Sequence, residues 1–540
     1  MKATTLFASL AVLGTAGSAV LLSSRLGPAD PVPLYDNLGN YHHPITTSVP
    51  LAQRYFDQGL RLVYAFNHAE AIRAFREAER LDPACAMCPW GEALALGPNI
   101  NAPMDSVSGV EAFKAVERAR QRATRGLPAE RALIGALSQR YSRAQPANRA
   151  ALDSAYANAM ARVAADFPRD AEAQVLYADA LMNLSPWNYW ESGEARAGTD
   201  QIIASLERVL ATDENHPGAC HLFIHAEEAH APARAVGCAE RLAGLMPGAG
   251  HLVHMPAHIY IRVGRYADAI ATNEHAVHAD ESYFDGPQET RNALYGKAYY
   301  PHNYHFLSFA AAMAGNSHIA IESARKTMER IDPVVAGQTP WIENVTGILY
   351  GAYVTFARWD DILAEPIPGE DLPYARGVAQ YARGIAFAEK KQWTEAAASM
   401  DTLIIIQERF ADGENKKALG VALESLKGEI ALRSGALERA INHFTRAVAR
   451  EDQLGFAEPP SWYYPARQSL GNVLLLANRA VEAEVVYRQD LVHFPDNGWS
   501  LKGLEQSLRA QGRSAEAAEV ERRFDQAWRA ADVQISSSRM

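Results

Sequence analysis

LAQRYFDQGLRLVYAFNHAEAIRAFREAERLDP, residues 51–83, carries the pattern that decides the fold. Gly59, Ala71, Phe75, Ala78 and Pro83 follow one another at separations of 12, 4, 3 and 5. The same separations return near the other end of the chain at Gly471, Ala483, Tyr487, Asp490 and Pro495, with Asp490 in place of a small residue. A shorter form, with gaps of 5, 4 and 3, links Gly264, Ala269, Asn273 and Ala276 to Gly435, Ala440, Phe444 and Ala447, and to Gly512, Ala517, Glu521 and Phe524. Such a repeat predicts a helix, a tight turn and a second helix. Small residues let two antiparallel helices approach, the large apolar residue fills the gap between neighbouring hairpins, and the proline stops the second helix.

This pattern resembles the tetratricopeptide repeat superfamily, whose unit is a helix pair of about 34 residues, and ERLDP at 79–83 is similar to its unit ending. The resemblance implies an all-α solenoid with a concave groove lined by the first helix of each hairpin. Several hairpins are required, because none buries its apolar face alone, and about eight to ten are expected from the length. The period lapses between Pro98 and Asn215, where helices are expected over 110–125, 129–141, 147–166 and 171–184. The interruptions are GPNINAPM, SPWNYWESGEARAG and the proline-rich EPIPGEDLP. CAMCPWG, HMPAH and HNYHF together look like a branch of exported bacterial repeat proteins to which no activity attaches.

Residues 1–24 read as a signal peptide or N-terminal anchor: one lysine, an apolar run over 6–22, and small residues ahead of a cleavage point near Ala19. Residues 25–50 read as a linker, 51–335 as N-terminal and central repeats, and 336–540 as C-terminal repeats. The expected location is periplasmic or secreted, with membrane attachment only if the first segment stays uncleaved. Export places Cys85, Cys88, Cys220 and Cys238 in an oxidising compartment, as one or two structural disulfides. A net charge of −11 and a pI near 5.9 offer no basic face for nucleic acid.

Eleven of the seventeen histidines lie between His216 and His305. His251 and His302 each stand 13 residues before a turn glycine, Gly264 and Gly315, and His254 and His305 stand 10 before the same glycines. Equivalent positions stack in a solenoid, so this register brings the pairs together. Residues three, four and seven apart share a helix face, which makes stripes of His221 with His225, of His251, His254 and His258, and of His302 with His305. All seven are expected on the concave surface as ligands for a transition metal, copper or zinc first and iron if a carboxylate joins. Seven exceed the needs of one ion, leaving room for a second or for outer partners, with Glu227, Glu228 and Glu274 as candidates. His216, His230, His275, His278 and His318 read as packing or surface residues and Met255 as core; YHHP at 41–44 and FNH at 66–68 are assigned no ligand role.

No serine-hydrolase elbow, phosphate loop or His-Glu-x-x-His motif occurs, so no catalytic residue is assigned and turnover is left open. Two readings follow. One is a metal site acting on a small molecule or peptide. The alternative is a metal-free scaffold whose groove docks a partner protein in the cell envelope, supported by the well-kept hairpins over 341–532.

Overall fold

Helix pairs run through the chain from Pro50–Tyr64 with His68–Leu81 to Gly498–Ala510 with Ser514–Ala527. The computed structural model describes residues 32–540 apart from 145, 147, 192 and 286–294, and only the backbone of 338 and 340. Tyr35–Met540 form one compact unit; Met1–Leu34 form another, in which only 32–34 are described. The expected signal or anchor therefore lies outside the described residues. Among the described residues no helix is long and apolar enough to cross a membrane.

Eight of the hairpins share one turn. The first helix ends, one capping residue follows, and the next residue is left-handed: Phe66, Ala357, Lys391 and Asn478 take φ of 51–60°, and Gly264, Gly315, Gly435 and Gly512 take φ of 75–79°. Glycine adopts this conformation without strain, which is why only the glycine turns were readable. The small-to-large register is also as expected. A Cβ on Gly59 or Gly91 would meet the Phe75 ring at 2.7 and 2.3 Å, and Tyr487 stands in the same relation to Gly471 and Gly503. One ring thus sits between two successive first helices. Because Phe75 is fully buried, Phe75→Ala is expected to cost about 3–5 kcal/mol, seen as a lower thermal midpoint; a change within error would deny the ring this role.

Twelve successive helix pairs can be traced among the described residues, against the eight to ten expected. The surplus falls where the period lapses: Ser106–Arg122, Pro128–Leu137, Ala150–Asp166 and Ala171–Met182 pack as helices without the repeat signature. SPWNYWESGEARAG folds into a short β-hairpin, Trp190–Glu191 pairing with Glu194–Ala195.

Two features depart from an open groove. Residues 35–49, read as linker, are bonded onto the first hairpins: Thr46 to Glu130, Thr47 to Asp82 and His42 to Asp57. The last hairpins also pack back on the central ones. Trp499 Nε1 donates to Ala312 O at 2.9 Å, the Asp532 carboxylate accepts from the backbone N–H groups of Ser317 and His318, and the Trp528 ring covers Gly315. The first helices of the central hairpins consequently face an interior rather than solvent.

Candidate metal centre

His221 and His225 lie one turn apart on Pro217–Glu227, whose start is fixed by Pro217 and by His216, its Nδ1 accepting from Ala219 N at 3.1 Å. A disulfide from Cys220 to Cys238 ties this helix to Val236–Leu245; the other joins Cys85 to Cys88. His251 and His254 lie on Gly250–His254 and His258 on Pro256–Arg262, two helices that meet at Met255 and Pro256. His302 and His305 lie on Tyr300–Met313.

The first five imidazoles are buried, none more than 3 % exposed, and His302 is half-buried. Ring nitrogens of His221, His225 and His251 all lie within 4.8 Å of one another, and so do those of His254, His258 and His302. A third grouping, His225, Glu228 and His258, joins the two triads.

What the outer nitrogens do decides what the inner ones can do. His221 Nδ1 is 2.6 Å from Tyr64 O, and His254 Nδ1 is 2.7 Å from Asn273 Oδ1, whose amide nitrogen donates to Ala269 O. His225 Nδ1 and His258 Nδ1 are 3.0 and 2.7 Å from the two oxygens of Glu228. Each of these partners accepts, so each Nδ1 carries a proton; His221, His225 and His254, held neutral by burial, turn a bare Nε2 inward, whereas His258 carries a second proton on its Nε2 until an ion displaces it. His225 Nε2 has no hydrogen-bond partner. His254 Nε2 and His258 Nε2 face each other at 2.9 Å, and His221 Nε2 and His251 Nε2 at 3.2 Å. Two nitrogens bound ~2.0–2.1 Å from one ion stand roughly 2.9–3.4 Å apart. Two bare lone pairs at that distance repel unless a cation or a proton lies between them.

Burial, reinforced by the neighbouring imidazoles, pushes His221, His225, His251, His254 and His302 well below the usual histidine range. His258 differs. Burial acts to lower it, but the charge and hydrogen bond of Glu228, with Glu458, raise it to about 9. Burial and then the Glu228 charge raise Glu458 to about 8. Its Oε2 stands 2.6 Å from His258 Nδ1, yet neither oxygen makes an aligned hydrogen bond.

Six of the seven expected ligands therefore converge, and they do so in the interior. His305 does not join them: it is buried against the Tyr463 ring, both nitrogens without a partner, and burial lowers it to about 3. Of the carboxylates, only Glu228 orients ligands. Glu227 pairs with Arg234, and Glu274 faces solvent because Asn273, not its neighbour, points inward. Met255 is core. His230 stacks on Trp190, and His275, His278 and His318 are exposed. The N-terminal hairpin does reach the centre, through Tyr64 O and the Phe66 ring 4.5 Å from that of His221, but supplies no ligand nitrogen.

Three participants escaped the sequence reading. Glu458 arrives from the far end of the chain, and no local pattern announces it. Tyr64 acts through its backbone, while its hydroxyl and that of Tyr41 donate to buried Glu172. Burial acts to raise Glu172, but His216, His43 and Tyr41 hold it down to about 2. Asn273 did leave a signal. It occupies the repeat position that holds Phe75, Phe444 and Tyr487 elsewhere, and a polar residue there makes room for the His254 ring.

Fold and site together define an all-α solenoid of helix hairpins closed around a histidine-lined interior. No family model and no curated protein matches the chain. Similar solved structures include a human IFIT1 dimer with m7Gppp-AAAA, at 13% identity over 89% of this chain and 91% of that one, with a TM-score of 0.32. Yeast Tom70 gives 13% over 87% and 96% at 0.31, and the P58(IPK) TPR domain 12% over 86% and 99% at 0.20. Overlays this loose carry no argument, and the hairpin architecture rests on the turns and ring contacts above.

Proposed function

We propose that the central hairpins hold a buried transition-metal centre of two three-histidine sites: His221, His225 and His251 in one, His254, His258 and His302 in the other. The supporting observation is the inward Nε2 of His254 facing that of His258 at 2.9 Å while acceptors hold both Nδ1 protons. An all-imidazole donor set suits copper or zinc. Three protein ligands leave a coordination position open, as catalytic sites do and structural zinc sites do not. A bound ion would supply Lewis acidity toward a small molecule or peptide, or redox chemistry if it is copper.

The chain's own part is to prepare the ligands. Glu228, Asn273 and Tyr64 O fix tautomers; Phe66 and Phe306 wall the rings, Phe306 at 4.4 Å from the His258 ring; Glu458 adds a second carboxylate beside His258 Nδ1. Export into an oxidising compartment fits this reading, since both cysteine pairs are disulfide-bonded. Elemental analysis of untagged protein from such a compartment is expected to return one or two equivalents of copper or zinc. No metal, even after reconstitution with either ion, would sink the reading.

A further inference from the structure

The later hairpins carry a second feature, independent of the histidines. Pro373–Glu389, Glu414–Arg433, Ala466–Leu476 and Gly498–Ala510 are the first helices of four consecutive hairpins and form one face. Residues 536–540, sequence SSSRM, run along it in reverse order. Gln506 Nε2 donates to Ser536 O, Ser538 Oγ donates to Gln468 O at 2.9 Å and meets Tyr487 OH at 2.7 Å, and Arg539 Nη1 reaches both Glu429 and, at 2.7 Å, Ser469 Oγ. The guanidinium lies over the Tyr464 ring, 4.6 Å from its centroid.

Ser538 and Arg539 are buried while Ser536 and Met540 are exposed. A two-residue polar anchor on an otherwise accessible segment is how an extended peptide is held, with one deep pocket and backbone contacts around it. The pocket is acidic before anything enters it. Glu429 is fully buried; Arg539 bonds its Oε1, while its Oε2 has no hydrogen-bond partner and only Arg433, at 3.8 Å, for an ion pair. A buried carboxylate that is incompletely paired is costly, and without Arg539 Glu429 would keep only the distant Arg433, so the groove favours an entering guanidinium.

We propose that this groove is a docking site for an extended protein segment of small polar residues followed by arginine, and that residues 536–540 are its exchangeable occupant in cis. Asp532 is bonded to the Ser317 helix start, so the segment is tethered a few residues from its groove. A short tether gives an effective concentration of about millimolar. A partner peptide therefore meets a groove that is mostly filled, and its apparent affinity falls by the fraction that is open.

The test uses the full chain. Arg539→Glu places a like charge against Glu429 and empties the groove. A fluorescent, acetylated and amidated QISSSRM peptide is then titrated by anisotropy. It is expected to bind the Arg539→Glu chain at least about tenfold more tightly than the unaltered chain, whose groove is filled in cis. Adding Glu429→Gln, or changing the peptide's arginine to alanine, should weaken that binding by about tenfold to a hundredfold. Equal binding to both chains would overturn the proposal, as would no binding by an Arg539→Glu chain of normal helicity. Failure of that variant to fold would also overturn it, by making the segment part of the hairpin core.

Discussion

His254→Ala is expected to empty one triad and spare the other. His254 Nε2 is one of three imidazole nitrogens in the group with His258 and His302, and none of the three belongs to the group of His221, His225 and His251. Loss of an outer partner alone costs roughly 10–100-fold in metal affinity; removing a ligand should exceed about 100-fold at that triad. Protein that binds two ions should then bind one, and protein that binds one at this triad should bind none. The substitution also orphans Asn273 Oδ1 in the interior, a cost of about 1–3 kcal/mol that lowers the melting point with or without metal. The two effects separate experimentally. Metal content and the chelator-induced fall in melting temperature report the ligand, whereas the melt of the chelated variant reports the orphaned amide. Unchanged metal content in a folded His254→Ala chain would remove His254 from the site.

The sequence disclosed this site because the repeat supplies a ruler. Once Gly264 and Gly315 are read as turns, His251 with His302 and His254 with His305 fall at equal distances from them, and stacked hairpins must bring them near. The ruler has a limit that His305 exposes. Register says which residues stack, but not how far a helix is rotated, and Tyr300–Met313 begins after a stretch of π-helix at Tyr295–Tyr299. One imidazole of its pair meets the centre while the other is turned onto Tyr463.

Closure of the solenoid was not readable for a different reason. Repeats encode contacts between neighbours, whereas the bond from Trp499 to Ala312 and the approach of Glu458 to His258 join hairpins far apart in sequence. Such contacts depend on the accumulated twist of the hairpins between them, some of which have lost the repeat signature. The expected concave surface therefore became an interior. Burial changes the chemistry, because it drives most of these imidazoles toward their neutral, ligand-competent form.

Glu228→Gln tests that preparation of the ligands and should disable one triad without removing any ligand. The two oxygens of Glu228 hold the Nδ1 protons of His225 and His258, one ring from each triad. A glutamine side chain has one acceptor oxygen and one amino group. The ring that meets the amino group should be His225, because His258 Nδ1 keeps Glu458 Oε2 at 2.6 Å as a second acceptor; His225 then rotates or changes tautomer, and its Nε2 bears the proton and cannot bind an ion. The other ring keeps its acceptor. A competition titration should show one ion weakened by about 10–100-fold and the other nearly unchanged, a split unlike the complete loss at one triad expected from His254→Ala. Glu228→Asp retains two oxygens but withdraws both by one methylene, so it should weaken both ions together. If either variant binds metal as the unaltered chain does, the inward nitrogens are not set by this carboxylate, and the pairing of the two triads through it is wrong.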